Sequence, residues 1–230
     1  TSVDALCASP LPKGLFHRAI AQSPGITDGS YDFLKPSSSC ASSAEEAGKS
    51  WASRFLEEDS DDGLGTLRGI AAAKLVARSD GFRPVVTIDG WFMPDFSENR
   101  FAQGKQNAVS LIVGTNTDEG TIFLNSYPYR TVDTYREGMQ NRYGDAAQDI
   151  LKLYPVTSDE DIPAALNAYI SDTWFLRGAT GMLRGMSAVP DDVFQYVFTH
   201  RSQAYPARGA YHSAEMYYVF NTLHPAAKKS

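Results

Sequence analysis

Short apolar runs occur at positions 19–22, 109–113 and 193–199, and long stretches with helical spacing separate them. All three are short enough for strands, and the central run has the composition of a strand that is buried on both faces of a parallel sheet. The helical stretches are long enough to serve as the crossover connections that join parallel strands. The pattern therefore predicts the α/β class, with a mostly parallel central sheet flanked by helices.

Helix signals support this alternation. Ser43 and Glu46 form a capping-box pattern ahead of a helix that we expect over residues 44–56. A further helix is expected over residues 66–77, and the apolar side chains of residues 162–173 recur with the period of a helix. These helices all lie between the first and the third apolar run.

Two other stretches are typical of loops and turns. Residues 29–42 are rich in serine and proline, which predicts a loop. Residues 84–88 predict a short strand, and Asp89 with Gly90 directly after it is a hairpin-type turn signal. We therefore expect a loop and later a strand followed by a chain reversal.

The sequence VGTNTDEG begins at the last residue of the central run and contains the carboxylate of Glu119. Gly114 ends the run, and the small or polar residues 115–118 lead to Glu119. Glu119 thus follows the carboxyl end of a predicted buried strand, and ligands and catalytic groups gather at that edge of an open parallel sheet. Glu119 is therefore the first candidate catalytic residue.

His212, one of four histidines, lies among small residues after the third run. Both Glu119 and His212 would emerge at the same edge of a parallel sheet. A carboxylate beside an imidazole orients the ring and stabilises the imidazolium formed when the ring accepts a proton. The order, acid before histidine, fits α/β-hydrolases. Two alternatives stay open: His212 is a surface residue, or the chain is an unrelated α/β domain in which the two side chains never meet.

The nucleophile of such a triad is not found. Neither G-x-S-x-G nor an HGGG-type oxyanion loop occurs in the chain. From the residues alone, the interpretation stops at an incomplete hydrolase-like sheet.

Composition excludes several other classes of function. The chain has 230 residues with 43% hydrophobic and 21% charged residues, which is typical of a soluble globular protein. With a net charge of -6 and no basic cluster before the terminal lysines, nucleic acid is not an expected partner. No apolar run approaches the roughly 20 residues of a membrane span. Cys7 and Cys40 are expected to be free thiols. The cysteines therefore do not indicate the cellular compartment of the protein.

Four stretches together carry a family resemblance. They are TSVDALCASPLPKGLFHRAIAQSPG, DGWFMPDFSENRFAQGK, IVGTNTDEGTIF and GAYHSAEMYYVF. They resemble the type-B carboxylesterase and cholinesterase-like family of α/β-hydrolases. In this resemblance Glu119 matches the catalytic glutamate and His212 the catalytic histidine. The first stretch resembles the segment directly after the family's G-E-S-A-G nucleophile elbow.

The resemblance implies that the chain is an internal to C-terminal fragment, truncated at both ends. The nucleophilic serine would lie just upstream of Thr1, and most helices expected after His212 would be absent. Residues 1–230 are then the C-terminal half of a single α/β-hydrolase catalytic domain. This half alone is expected to be inactive, and its expected partner is the missing N-terminal half of the same protein.

The resemblance also implies supporting residues. Ser23 and Glu215 match a serine and a glutamate that lie near the triad and hold its acid and base. The alternatives are a turn residue before a proline for Ser23 and a solvated helix charge for Glu215. Trp174 and Phe175 are candidates to line an acyl pocket, with core packing as the alternative.

The function implied is hydrolysis of a small-molecule carboxylic ester by a Ser-Glu-His triad, of which this chain supplies Glu119 and His212. This chemistry requires no metal ion and no organic cofactor. The alternative is a catalytically inactive cholinesterase-like adhesion or interaction module, since some relatives keep the fold and lose the serine.

Overall fold

The computed structural model describes residues 2–25, 31–36, 43–56, 62–82 and 85–223. Within these ranges the strands are β1 (Arg18–Gln22), β2 (Tyr31–Phe33), β3 (Val86–Ile88), β4 (Ser110–Asn116) and β5 (Val193–Phe198). The α-helices are α1 (Ser2–Ala8), α2 (Ala44–Ala52), α3 (Gly63–Gly69), α4 (Ala72–Ala77), α5 (Ser97–Ala102), α6 (Val132–Tyr143), α7 (Ala147–Leu153), α8 (Ile162–Ile170), α9 (Arg177–Met186) and α10 (Met216–Val219).

The main sheet has the order β1-β4-β5, and both strand pairs are parallel. These strands coincide with the three apolar runs, and helices fill the connections between them. The predicted α/β architecture with a parallel sheet flanked by helices is therefore confirmed. The parallel arrangement brings the carboxyl ends of all three strands to one edge.

One face of β4 forms the main hydrophobic core. Leu111 and Val113 are buried there, in the same cluster as residues of α1, α5 and α9 such as Cys7, Phe101 and Met182. Burying a side chain of this size stabilises the fold by about 1.5–3 kcal/mol. The central strand is thus held mainly by its packing against three helices.

The opposite face of the same sheet is apolar but open. Ile20, Ile112 and Phe194 align across the three strands and are 54%, 39% and 59% exposed. The expectation that the central run is buried on both faces is therefore wrong for the described part of the chain. Side chains alternate between the faces of a strand, and the described helices of the core cover only one of them.

A second core lies among the helices after β4. It contains Tyr135 and Met139 of α6 and Leu166, Tyr169 and Ile170 of α8, all of them fully or almost fully buried. This core makes α8 a rigid support beside the carboxyl end of β4.

Two expected helices differ in extent. The helix expected over residues 44–56 is α2, which ends at Ala52; its cap is as predicted, since the Ser43 hydroxyl accepts the backbone N–H of Glu46. The helix expected over residues 66–77 is two helices, because Ile70 and Ala71 have extended ψ angles of 135° and 132°. Two consecutive residues outside the helical region interrupt the hydrogen-bond ladder.

The expected chain reversal at Asp89 and Gly90 is not a hairpin. β3, directly before it, pairs in parallel with β2, a strand that lies inside the stretch predicted to be a loop. Asp89 instead accepts the backbone N–H groups of Trp91 and Met93 at 2.9 Å each. Asp89 and Gly90 therefore do form a turn, but β3 pairs with β2, which precedes it in the chain, and not with a strand after the turn.

Other expectations from composition concern cysteines, metals and membranes. Cys7 is buried in α1 and forms no disulfide with any described residue, and Cys40 lies outside the described residues. Among the described residues, no cluster of three His, Cys, Asp or Glu side chains is arranged to hold a metal ion. No helix in the described ranges is long and apolar enough to cross a membrane.

Replacing Gly114 with alanine should destabilise the sheet. A Cβ there would lie 2.4 Å from both the carbonyl oxygen and a ring carbon of Tyr196 on the neighbouring strand. We expect Gly114→Ala to lower the free energy of unfolding by about 1–3 kcal/mol. In Gly181→Ala, the matched control in α9, a Cβ meets no atom within 4 Å, and stability should rise by about 0.5–1 kcal/mol. Urea denaturation measures both, and equal stability of the two variants would contradict the packing argument.

Candidate active site

Glu119 begins a 3₁₀ turn (Glu119–Ile122) just beyond the end of β4. Its side chain folds back onto the strand, so that Oε1 accepts the backbone N–H of Asn116 at 2.7 Å. Glu119 is 0% exposed. The turn therefore places a carboxylate inside the protein at the carboxyl edge of the sheet.

The buried carboxylate has two further donors. The Ser23 hydroxyl donates to Oε1 at 2.5 Å, and Nδ1 of His212 donates to Oε2 at 2.7 Å. Hydrogen bonds to a carboxylate are stronger than neutral ones, and a charge removed from water requires such partners. The structure thus brings together Ser23, Glu119 and His212, three residues singled out from the sequence.

Ser23 directly follows β1 and has a left-handed backbone, with φ +48°. Its N–H donates to the carbonyl of Gly114 at 2.8 Å, which extends the ladder between β1 and β4 by one bond. A non-glycine residue in this region costs on the order of 1–3 kcal/mol and is found where surrounding contacts impose it. Here the strained residue both makes the turn before Pro24 and binds Glu119.

His212 lies in the loop after β5. Asp118 and Tyr211 form an isolated parallel bridge, and the Asn116 side chain donates to the carbonyl of Tyr211 at 2.7 Å. A carboxylate only accepts hydrogen bonds, so Nδ1 of His212 carries the proton that faces Glu119. Nε2 is then the ring nitrogen that can accept a proton, and the side chain is 27% exposed.

Aromatic side chains flank the His212 ring. Phe175 stacks on it with ring centroids 4.6 Å apart, and Phe123 is tilted against it at 5.4 Å. Phe175 and Trp174 lie on a π-helical turn (Ser171–Leu176) that joins α8 to α9. Phe175 is buried in the second core, so it both packs in the core and contacts His212. Trp174 is partly buried beside Phe123, 5.4 Å between ring centroids.

Glu215 is also buried, which rules out a solvated helix charge. Its carboxylate accepts the side-chain amides of Asn116 at 2.6 Å and Gln22 at 3.3 Å. Asn116 in turn bonds Glu119, so Glu215 reaches the acid through Asn116. Burial raises the pKa of the nearby Tyr196 hydroxyl, and the negative charge of Glu215 raises it further.

Sequence reasoning missed Asn116 and Phe123. Asn116 lies within the small polar stretch that was noted before Glu119, so its place beside the acid had a sequence signal. Phe123 had none beyond its proximity to Glu119, because its contact with His212 depends on a loop 89 positions further along. The π-helical turn that carries Phe175 also had no sequence signal, because the helical pattern of the sequence is not interrupted there.

Residues 1–229 match the model of the carboxylesterase family. The chain belongs to that family. Family membership implies the α/β-hydrolase fold, and the parallel sheet with flanking helices is consistent with part of it. The resemblance inferred from the sequence is therefore confirmed.

The relatives of this carboxylesterase-family chain include bacterial and animal esterases. The fumonisin B1 esterase of Sphingopyxis macrogoltabida is 28% identical over 99% of this chain and 41% of its own length. The para-nitrobenzyl esterase of Bacillus subtilis is 24% identical over 96% of the chain and 44% of its own length. An acetylcholinesterase of Leptinotarsa decemlineata is 23% identical over 97% of the chain and 40% of its own length. The chain thus spans about two fifths of the length of these curated relatives.

Removing the Ser23 hydroxyl should destabilise the protein. Ser23→Ala takes one donor from the buried Glu119 carboxylate, which costs about 1–3 kcal/mol of unfolding free energy. Ser23→Gly removes the same donor, but glycine adopts a positive φ without steric cost, so this variant should be no less stable than the alanine variant.

Ser53→Ala is the matched control, since that hydroxyl is exposed and donates to a backbone carbonyl. It should change stability by less than about 0.5 kcal/mol. Urea denaturation of the three variants measures these differences. A Ser23→Ala variant as stable as the Ser53→Ala variant would show that Ser23 does not support the carboxylate.

Proposed function

We propose that this chain supplies the acid and the base of a serine carboxylic ester hydrolase, with Glu119 as the acid and His212 as the base. The observation that carries the proposal is the 2.7 Å hydrogen bond between Oε2 of a fully buried Glu119 and Nδ1 of His212, 93 positions apart in sequence. This is the arrangement in which a carboxylate orients a catalytic imidazole.

In the proposed reaction, a serine outside this chain attacks the carbonyl carbon of the ester. Nε2 of His212 takes the hydroxyl proton as the serine oxygen–carbon bond forms, and then gives it to the alcohol as the ester bond breaks. Water then attacks the carbonyl carbon of the acyl-enzyme as Nε2 of His212 takes one of its protons. That proton passes to the serine oxygen as the acyl–serine bond breaks and the carboxylic acid leaves. Backbone N–H groups outside this chain stabilise the oxyanion of each tetrahedral intermediate.

Glu119 stabilises the imidazolium that forms at each transfer. Its carboxylate is held by Ser23 and Asn116 on Oε1, so Oε2 stays directed at His212. Phe175 and Phe123 limit rotation of the ring. The proposed steps need no metal ion or organic cofactor.

The proposed substrate is a small-molecule carboxylic ester. The names of the relatives support this class, since they are called fumonisin B1 esterase and para-nitrobenzyl esterase. We assign Trp174, which is partly buried beside Phe123 and Phe175, to the acyl pocket. Phe175 contributes the inner wall of that pocket by its stacking on His212.

We further propose that residues 1–230 form the C-terminal half of one catalytic domain and that the N-terminal half is its partner. Parallel sheets are normally covered on both faces. The open row of Ile20, Ile112 and Phe194 is a surface that such a partner would bury. The elbow that carries the nucleophile would then lie on this partner, near His212.

Replacing His212 should abolish ester turnover by the complete enzyme, meaning this chain together with the part that carries the nucleophile. His212→Ala should lower kcat by roughly 10⁴- to 10⁶-fold, and Glu119→Gln by roughly 10⁴-fold, because the first removes the base and the second its orientation. His17→Ala, at an exposed position before β1, is the matched control and should retain full activity. Near wild-type turnover by a folded His212→Ala variant would rule out its role, whereas no turnover by the folded wild-type complex would favour an interaction module.

The chain alone should not react as a serine hydrolase. We expect no burst of product from a chromogenic ester and no stoichiometric labelling by a fluorophosphonate, because the nucleophile lies in another segment. Adding the N-terminal part should give one label per complex, on that part. Stoichiometric labelling of a serine in this chain would contradict the proposed division of the triad.

A further inference from the structure

The residues around Glu119 also bind the loop that carries His212. We propose that Asp118 and Thr121 are positioning residues, which hold residues 208–212 against the Glu119 turn and thereby keep His212 in line with its acid. We call these contacts the loop clasp. The inference rests on the proposed function, because it concerns how the acid and the base stay aligned.

Asp118 forms the centre of the loop clasp through both its backbone and its side chain. Its backbone N–H donates to the carbonyl of Ala210 at 3.1 Å, and its Oδ2 accepts the N–H of Ala210 at 2.9 Å. Ala210 is therefore bound on both of its polar backbone groups by one residue. Since Ala210 precedes His212 by two positions and Asp118 directly precedes Glu119, this pair of bonds sets the spacing between acid and base.

Thr121 adds a contact on the other side of Glu119. Its hydroxyl lies 2.9 Å from the carbonyl of Asp118 and 2.8 Å from the carbonyl of Arg208, and it shares its one proton between them. The same side chain thus touches both loops. Its position after Glu119 means that the acid is bracketed by residues of the loop clasp.

Gly209 shows how closely the two loops approach. Its φ is +62°, and a Cβ there would lie 2.3 Å from Oδ2 of Asp118. Both the backbone conformation and the space exclude a larger residue. The contact is therefore built into the chain rather than a chance meeting of two surface loops.

The loop clasp is also anchored to the second core. Asn167 of α8 donates to Oδ1 of Asp118 at 3.3 Å, and the N–H of Gly120 donates to the Ser171 hydroxyl at 3.1 Å. A guanidinium nitrogen of Arg201 lies 3.4 Å from Oδ2 of Asp118, and the Thr117 hydroxyl donates to the same oxygen at 3.1 Å. Displacing a catalytic group by about 1 Å costs on the order of 10²-fold in rate, so loss of these bonds should act on kcat.

The test compares Asp118→Ala, Asp118→Asn and Thr121→Val in the complete enzyme. Asp149→Ala is the matched control, since it removes an exposed aspartate paired with Lys152. Fluorophosphonate titration counts the active sites, so kcat is expressed per folded site and a loss of folded protein does not lower it. The downfield proton resonance of His212 Nδ1–H reports the bond to Glu119 without reference to turnover.

We expect Asp118→Ala to lower kcat on the order of 10- to 10²-fold with little change in KM, and to broaden or shift the His212 resonance. Asp118→Asn keeps an acceptor oxygen for the N–H of Ala210 and should recover kcat to within about 5-fold of wild type. Thr121→Val should lower kcat by about 3- to 10-fold. Asp149→Ala should match wild type in all readouts.

Wild-type kcat and an unchanged His212 resonance in Asp118→Ala would overturn the proposal. If that variant does not fold, unchanged values in Thr121→Val overturn it instead. His212→Ala in the same series separates the two ideas: full activity there removes the proposed function, whereas loss of activity there with no effect of the Asp118 and Thr121 variants removes only the loop clasp.

Discussion

A carboxylate that is buried completely requires hydrogen-bond donors, and the donors of Glu119 lie at or beyond the carboxyl ends of all three strands of the main sheet. Ser23 follows β1, Asn116 ends β4 and His212 follows β5. The requirement to satisfy this one charge therefore constrains the connections after every strand. It also explains why Ser23 keeps a left-handed backbone, since the turn and the hydrogen bond to Glu119 are made by the same residue.

The parallel sheet and the helices position different parts of the site. The sheet brings the three strand ends to one edge, but it does not orient the imidazole. That orientation comes from Glu119 on Nδ1 and from Phe175 and Phe123 against the ring. Phe175 is delivered by a π-helical turn in an otherwise continuous helical segment, and such turns are frequent at functional sites. The second core keeps that turn in place.

The open face of the sheet is a separate property of the chain. Ile20, Ile112 and Phe194 are as apolar as the residues of the covered face, yet they remain exposed in the described part of the chain. An apolar run in the sequence therefore predicts a strand, but it does not tell whether both faces of that strand are buried within the same chain. The open face is also relevant to the proposed function, because the partner that we propose would both cover this face and supply the nucleophile.

Much of the architecture was determined by the amino-acid sequence alone. The apolar runs predicted the three strands of the main sheet, their separation by helices predicted parallel pairing, and the VGTNTDEG stretch singled out Glu119, because local composition and spacing carry these signals. Tertiary structure alone decided the rest. The pairing of β2 with β3, the break at Ile70, the stacking of Phe175 on His212 and the contact of Asp118 with Ala210 join residues far apart or depend on single backbone angles. No local pattern encodes such features, because they become favourable only once distant segments pack together in the folded chain.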